Sequence, residues 1–106
     1  MVKKSINITP WSSPEPVTEE ALRKLLAAEG LDPYTWSNGP GDVYSAHSHT
    51  YNKVIYVVKG SITFGLPGDN RKIELNPGDR LDLPAGVVHD AIVGADGVVC
   101  LEAHSS

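Results

Sequence analysis

The pattern of apolar and polar positions along this chain changes character once, near Tyr34. From there on, short runs rich in β-branched and aromatic residues lie between the turn signals Asn38-Gly39-Pro40-Gly41, Pro67-Gly68-Asp69-Asn70, Asn76-Pro77-Gly78-Asp79 and Pro84-Ala85-Gly86. Such punctuation predicts strands joined by turns. Every second residue is apolar in Ile62, Phe64, Leu66, in Ile73, Leu75 and in Leu81, Leu83, so each of these runs buries one face. Lys53 to Val58 differs, because Val54 to Val58 are apolar on both faces, which predicts a strand covered on both sides. One cover is a barrel interior. The other is a partner sheet, the N-terminal helix or a second subunit.

Before Tyr34 the chain reads differently. Pro10, Pro14 and Pro16 around Trp11 exclude a regular helix and leave room for one short strand at Ile6 to Ile8. Thr18 then caps a helix predicted over residues 19 to 29, with Glu19 and Glu20 in its first turn, Val17 and Leu22 at staple positions and Gly30 as its stop. Leu22, Leu25 and Leu26 form one stripe, so this helix is expected to pack flat on the outside of the strands. The expected division is an arm and helix at 1–32 and a barrel at 33–106, making one structural domain. A chain of 106 residues has capacity for one such core.

Composition narrows the function more than the fold. Ten glycines and eight prolines agree with many tight turns. A net charge of −4 offers no basic stripe, which argues against nucleic acid and against an anionic membrane as partner and favours a small-molecule ligand. Lys3 and Lys4 are followed by Ser5, Asn7, Thr9 and Pro10 where a signal peptide would carry its apolar region, and no run approaches the ~18 residues of a membrane-spanning helix. The single Cys100 has no partner for an intramolecular disulfide. A cytoplasmic protein is expected. A homodimer is expected as well, because the two-sided strand Val54 to Val58 and the aromatics Trp11 and Trp36 offer more apolar surface than one small barrel covers.

Three histidines carry the chemistry. His47 and His49 are two apart on a predicted strand, so both imidazoles leave one face, about 7 Å apart along the backbone. His89 shares its parity with Ala91 and Val93, and Asp90 takes the opposite one, which turns His89 inward. It joins the first pair only if its strand lies beside theirs.

The segment Gly41 to Gly60 reads G-x5-H-x-H-x3-K-x6-G and the segment Gly78 to His89 reads G-x5-P-x-G-x2-H, with 17 residues between them. Together these resemble the two motifs of the cupin superfamily, and in particular its small single-domain microbial members. The resemblance implies an all-β fold, a double-stranded β-helix or jelly-roll barrel with the short helix outside it. It implies that His47, His49 and His89 are ligands of a divalent transition metal such as zinc, nickel, iron, copper or manganese. Cupins usually complete that shell with a glutamate four residues after the second histidine, and this chain has Lys53 there.

That departure matters energetically. An ammonium about 4 Å from a divalent ion repels each unit of its charge by roughly 4 kcal/mol at an effective dielectric near 20. Either Lys53 turns its head away, or an anion screens it, or the site holds no divalent cation. Three neutral imidazoles alone hold such a metal with positions open for water or substrate, and cysteine dioxygenases resemble this arrangement in lacking the glutamate. An inward Lys53 is a candidate general base or a charged anchor for a carboxylate. Lying next to a turn, it is expected to be solvated.

Tyr44, Tyr51 and Lys53 are the candidate ligand-binding residues, while Tyr56 is expected to pack. His104 is expected to be a solvated tail residue, Cys100 a buried inert thiol on the face opposite Val99 and Leu101, and Asp79 a turn residue bonding its own backbone. Two functions follow. The first is an enzyme of the dioxygenase or isomerase type, using a histidine-bound metal on a small polar organic substrate. The second is a non-catalytic small-molecule or metal-binding module in which Lys53 marks the loss of chemistry.

Overall fold

Strand pairing explains how short motifs far apart in sequence come to one place. The computed structural model describes residues 6–105; Lys3, Lys4 and Ser5, which bore on the signal-peptide reading, lie outside them. Its elements are β1 (Asn7–Thr9), α1 (Glu19–Ala28), β2 (Tyr34–Asn38), β3 (Val43–His47), β4 (Asn52–Leu66), a single 3-10 turn at Pro67–Asp69, β5 (Arg71–Leu75), β6 (Arg80–Leu83) and β7 (His89–Ser105). Five strands are short, as the turn signals predict. The other two, β4 and β7, run 15 and 17 residues and pair antiparallel along almost their whole length, from Asn52↔Ser105 to Gly65↔Asp90.

Each long strand changes partner halfway. The first half of β4 pairs with β6 and the second half with β5; the first half of β7 pairs with β3 and the second half with β2. The sheet therefore folds over itself as a jelly-roll barrel. The crease lies where the β4–β7 register shifts, between Val57 and Lys59 and again between Gly60 and Ile62. Gly60 adopts φ 78°, and a Cβ there would stand 2.0 Å from the Gly97 carbonyl oxygen, so only glycine fits.

The alternating runs behave as predicted. Ile62, Phe64, Leu66, Ile73, Leu75, Leu81 and Leu83 are all buried in one core, together with Ile55, Val57, Val93 and Cys100. The two-sided strand is covered on its outer face by α1: Leu22 and Leu26, fully buried, pack on Val54, Tyr56, Leu101 and Ala103. Burying two leucines stabilises this contact by roughly 3–6 kcal/mol. The helix, rather than a second subunit, meets that face. Leu25 does not join the stripe and is 44% exposed, because a residue three positions after Leu22 is rotated away from a contact centred on an i, i+4 pair.

Local signals at the helix ends act as read. The Thr18 hydroxyl accepts from the Ala21 amide at 3.1 Å, Glu19 pairs with Arg23, and the left-handed Gly30 returns its amide to Ala27 at 2.9 Å. The helix ends at Ala28, one residue before the predicted end. Arg80 ties it to the barrel, bonding Glu29 beyond the helix end and Asp82 on its own strand. No helix among the described residues is long and apolar enough to cross a membrane.

Candidate metal centre

Strand register brings the histidines together. His47 ends β3 directly opposite His89, the first residue of β7. His49 lies just past the end of β3 rather than on it, and its carbonyl accepts from the Gly86 amide at 2.8 Å, which fixes the segment beside the Pro84-Ala85-Gly86 turn. Ring centroids are 4.7 Å apart for His47 and His49, 4.4 Å for His47 and His89, and 5.3 Å for His49 and His89. One nitrogen from each lies within 4.8 Å of the others.

Tautomers follow from the partners. The Nδ1–H of His47 donates to the Ser45 carbonyl at 2.6 Å and that of His89 to the Val87 carbonyl at 3.0 Å, since a carbonyl only accepts. Each ring is left with an Nε2 lone pair. His49 contacts the Tyr51 hydroxyl through Nδ1 at 3.2 Å, and its Nε2 is buried with no partner. A buried polar nitrogen without a partner is costly unless something fills it. Burial first, then the charge of Lys53, lowers the His49 pKa from its ordinary 6.5. Burial lowers that of His89 too, against the opposing Val87 hydrogen bond. Three imidazole nitrogens this close together are the kind of donor set a divalent transition metal takes, so these residues fit one.

The cavity beside them holds about 350 Å³. Trp36, Ile55, Ile62 and Phe64 give it an apolar wall. Tyr44 and Tyr51, the predicted ligand-binding tyrosines, both line it; Tyr44 donates to Asn38 and packs edge-on against Trp36. Tyr56 lies on the opposite face with the helix, as expected.

Lys53 is not solvated. It sits one residue into β4, paired on one side with Leu83 and on the other with His104, so its parity turns the side chain into the cavity, where it is 12% exposed. Its ammonium lies 3.2 Å from the carboxylate of Glu102. An anion does accompany Lys53, and it belongs to the chain; sequence reasoning missed Glu102.

Glu102 is 3% exposed and takes four donors: the Tyr34 hydroxyl at 2.6 Å, His104 Nε2 at 2.5 Å, Trp36 Nε1 at 3.1 Å and Lys53. Burial alone would raise its pKa, but the bonds from Tyr34 and His104 and the charge of Lys53 outweigh it and hold the carboxyl below its ordinary value. His104 is therefore no free tail residue, since it bonds Glu102 and lies 4.1 Å, ring to ring, from Tyr51. A signal was present. Glu102 shares the parity of Cys100, which is fully buried and whose thiol burial pushes up to about 12, an inert group as expected. Asp79 accepts from the Asn76 amide at 2.8 Å within its turn, also as expected.

Comparison with known proteins agrees with this geometry. The model of the family described as cupin domain matches residues 35–101. The quercetin 2,3-dioxygenase of Bacillus subtilis is 35% identical over 79 residues, covering 69% of this chain, while this chain spans 23% of that protein's length. KdgF from a Halomonas species superposes with a TM-score of 0.60 at 26% identity, over 72% of this chain and 69% of the other. An RmlC-like cupin from Shewanella frigidimarina gives 0.61 at 25% identity, over 71% and 65%. With its family match running through residues 35–101, which include all three histidines, this chain belongs to the cupin domain family.

Proposed function

We propose that this cupin holds a divalent transition metal on His47, His49 and His89 and binds a small organic ligand in the adjoining cavity. One observation carries the reading: three imidazoles converge within 4.8 Å, two of them locked by backbone carbonyls and the third with a buried, partnerless Nε2. A bound metal would supply Lewis acidity or oxygen activation there. The dioxygenase relative, of which the chain spans under a quarter, supports an oxygen-dependent reaction.

The protein's own groups orient and exclude. Tyr51 holds His49 in place, the apolar wall keeps water from the ligand, and Lys53 with Glu102 sets the charge of the cavity. A second reading, a binding module without chemistry, draws on a separate observation: the hydroxyls of Tyr44 and Tyr51 are both engaged within the protein and Lys53 is ion-paired with Glu102.

Elemental analysis of protein purified without added metal tests the site. About one equivalent is expected in the wild type and almost none in His47→Ala or His89→Ala. Equal metal in all three overturns the proposal. If the bound ion is redox-active, oxygen uptake with a panel of thiols, diketones and phenols separates the two readings: turnover supports the enzyme, and silence across the panel supports the binding module.

A further inference from the structure

The charge inside the cavity is unevenly available to a ligand. Apart from the histidines, Lys53 and Glu102 are the charged residues among those lining it. Glu102 is spent: both its oxygens accept, one from Trp36 and the other from Tyr34, His104 and Lys53. Lys53 is not spent. An ammonium has three N–H donors, and among the described residues Nζ has one polar partner, Glu102. The other donors belong to a side chain that is 88% removed from solvent and lines the cavity. The Glu102 carboxylate, 3.2 Å away, holds the Lys53 head at this wall.

We propose that the cavity takes an organic monoanion with an apolar body, whose charged oxygen, carboxylate, enolate or phenolate, is bound by Lys53 beside the three histidines. The proposal deepens the metal-site reading and rests on it for the position of the second contact to that oxygen. The body of the ligand is set by the wall: Trp36, Ile55, Ile62 and Phe64 offer flat and branched apolar surface and no hydrogen-bond donor except the Trp36 indole, which Glu102 already uses. A neutral polyol or sugar would strand its hydroxyls against that wall. A cation would meet Lys53 and the metal position together. An anion answers both.

Calorimetric titration of the full chain with benzoate and with its neutral near-isostere benzamide tests this, in metal-free and in cobalt(II)-loaded protein. Benzoate is expected to bind at least about tenfold more tightly than benzamide to the metal-free wild type, and the cobalt form to widen the gap. Lys53→Arg is expected to keep most of the preference in the metal-free protein and Lys53→Met to reduce it to under about threefold. Should Lys53→Met alone fail to fold, Lys53→Met with Glu102→Gln, which removes both charges, takes its place.

Equal binding of the two probes by the wild type, no benzoate binding at all, or a full preference retained without Lys53 overturns the inference. The two readings fail separately. Cobalt uptake without benzoate preference leaves the metal site and removes the anion; a Lys53-dependent preference in protein that takes up no cobalt does the reverse.

Discussion

Two polar clusters line one cavity, and they are built on opposite plans. In the histidine cluster three ring nitrogens lie within 4.8 Å of one another, and His49 Nε2 is buried without a partner. In the Glu102 cluster a single buried carboxylate collects four donors, one of them charged. The carboxylate at the centre of the second is satisfied within the protein, and His49 Nε2 in the first is not. A satisfied buried cluster makes the fold depend on each of its members, because each partner left behind would be an unsatisfied polar group. One with an unpartnered group weakens the fold slightly and leaves that group for something brought from outside. Stability and function are therefore expected to separate between two groups of residues on the same inner surface.

The largest expected effect follows from that separation. Glu102→Gln leaves the Lys53 ammonium, 12% exposed, without a counter-charge, and a loss of about 3 kcal/mol in unfolding free energy is expected, measured by urea denaturation of metal-free protein. Removing both charges as Lys53→Met with Glu102→Gln should recover most of it. His49→Ala, by contrast, deletes an unpartnered ring nitrogen and should change the stability of metal-free protein by less than about 1 kcal/mol. A loss for His49→Ala as great as that for Glu102→Gln would break the comparison.

Acid should undo the two clusters in separate pH windows. Burial depresses the pKa of His49 and His89 below 6.5, so on acidification the unfolded chain takes up their protons first, and the stability their neutral forms contribute is lost as pH falls from about 6.5 through the folded values. The Glu102 carboxyl is held below 4.5, so its contribution is present above 4.5 and is lost as pH falls further, through its own folded value. Unfolding free energy of metal-free protein measured from pH 8 to pH 3 should thus decline in two stages. His49→Ala should flatten the upper stage and Glu102→Gln the lower. A single decline untouched by either substitution would show that other groups govern the acid response.

The two clusters were unequally legible in the sequence. His47 and His49 are separated by one residue and His89 sits in a run whose parity is readable from Ala91 and Val93, so each imidazole had a face before any pairing was known. Glu102 had no such marker. Between His89 and Glu102 the strand passes the irregular stretch Gly94 to Gly97, where inward positions switch from odd numbers, His89, Ala91 and Val93, to even ones, Val98, Cys100 and Glu102. Counting on from His89 would have turned Glu102 outward. Only its shared parity with Cys100 pointed the other way. Lys53 was read as solvated because it follows a turn, but that turn ends one residue earlier than its polarity suggests, and a lysine flanked by paired strands on both sides must face either the core or the helix. The same limit applied to Val54 and Tyr56: periodicity showed a two-sided strand, and only the path of the chain showed that Leu22 and Leu26 cover it.

The smallest expected effect sharpens the comparison most, because it asks one chemical group to do two different things. Tyr34 and Tyr51 both present a hydroxyl to the cavity, Tyr34 to Glu102 at 2.6 Å and Tyr51 to His49 at 3.2 Å. In Tyr34→Phe the carboxylate loses one of its four donors, and a hydrogen bond to a charged group is worth about 1.5 kcal/mol, so unfolding free energy should fall by about that much with metal affinity unchanged. In Tyr51→Phe the ring contact with His104 survives and the carboxylate keeps its full set of donors. What is lost is the partner that orients the His49 ring, and metal affinity should drop about tenfold while metal-free stability moves by less than about 0.5 kcal/mol. Competition for metal against a chelating dye gives the first readout and urea denaturation the second. If the two hydroxyls moved both readouts alike, the clusters would be one network, and the division of labour drawn between Glu102 and the histidines would fall with it.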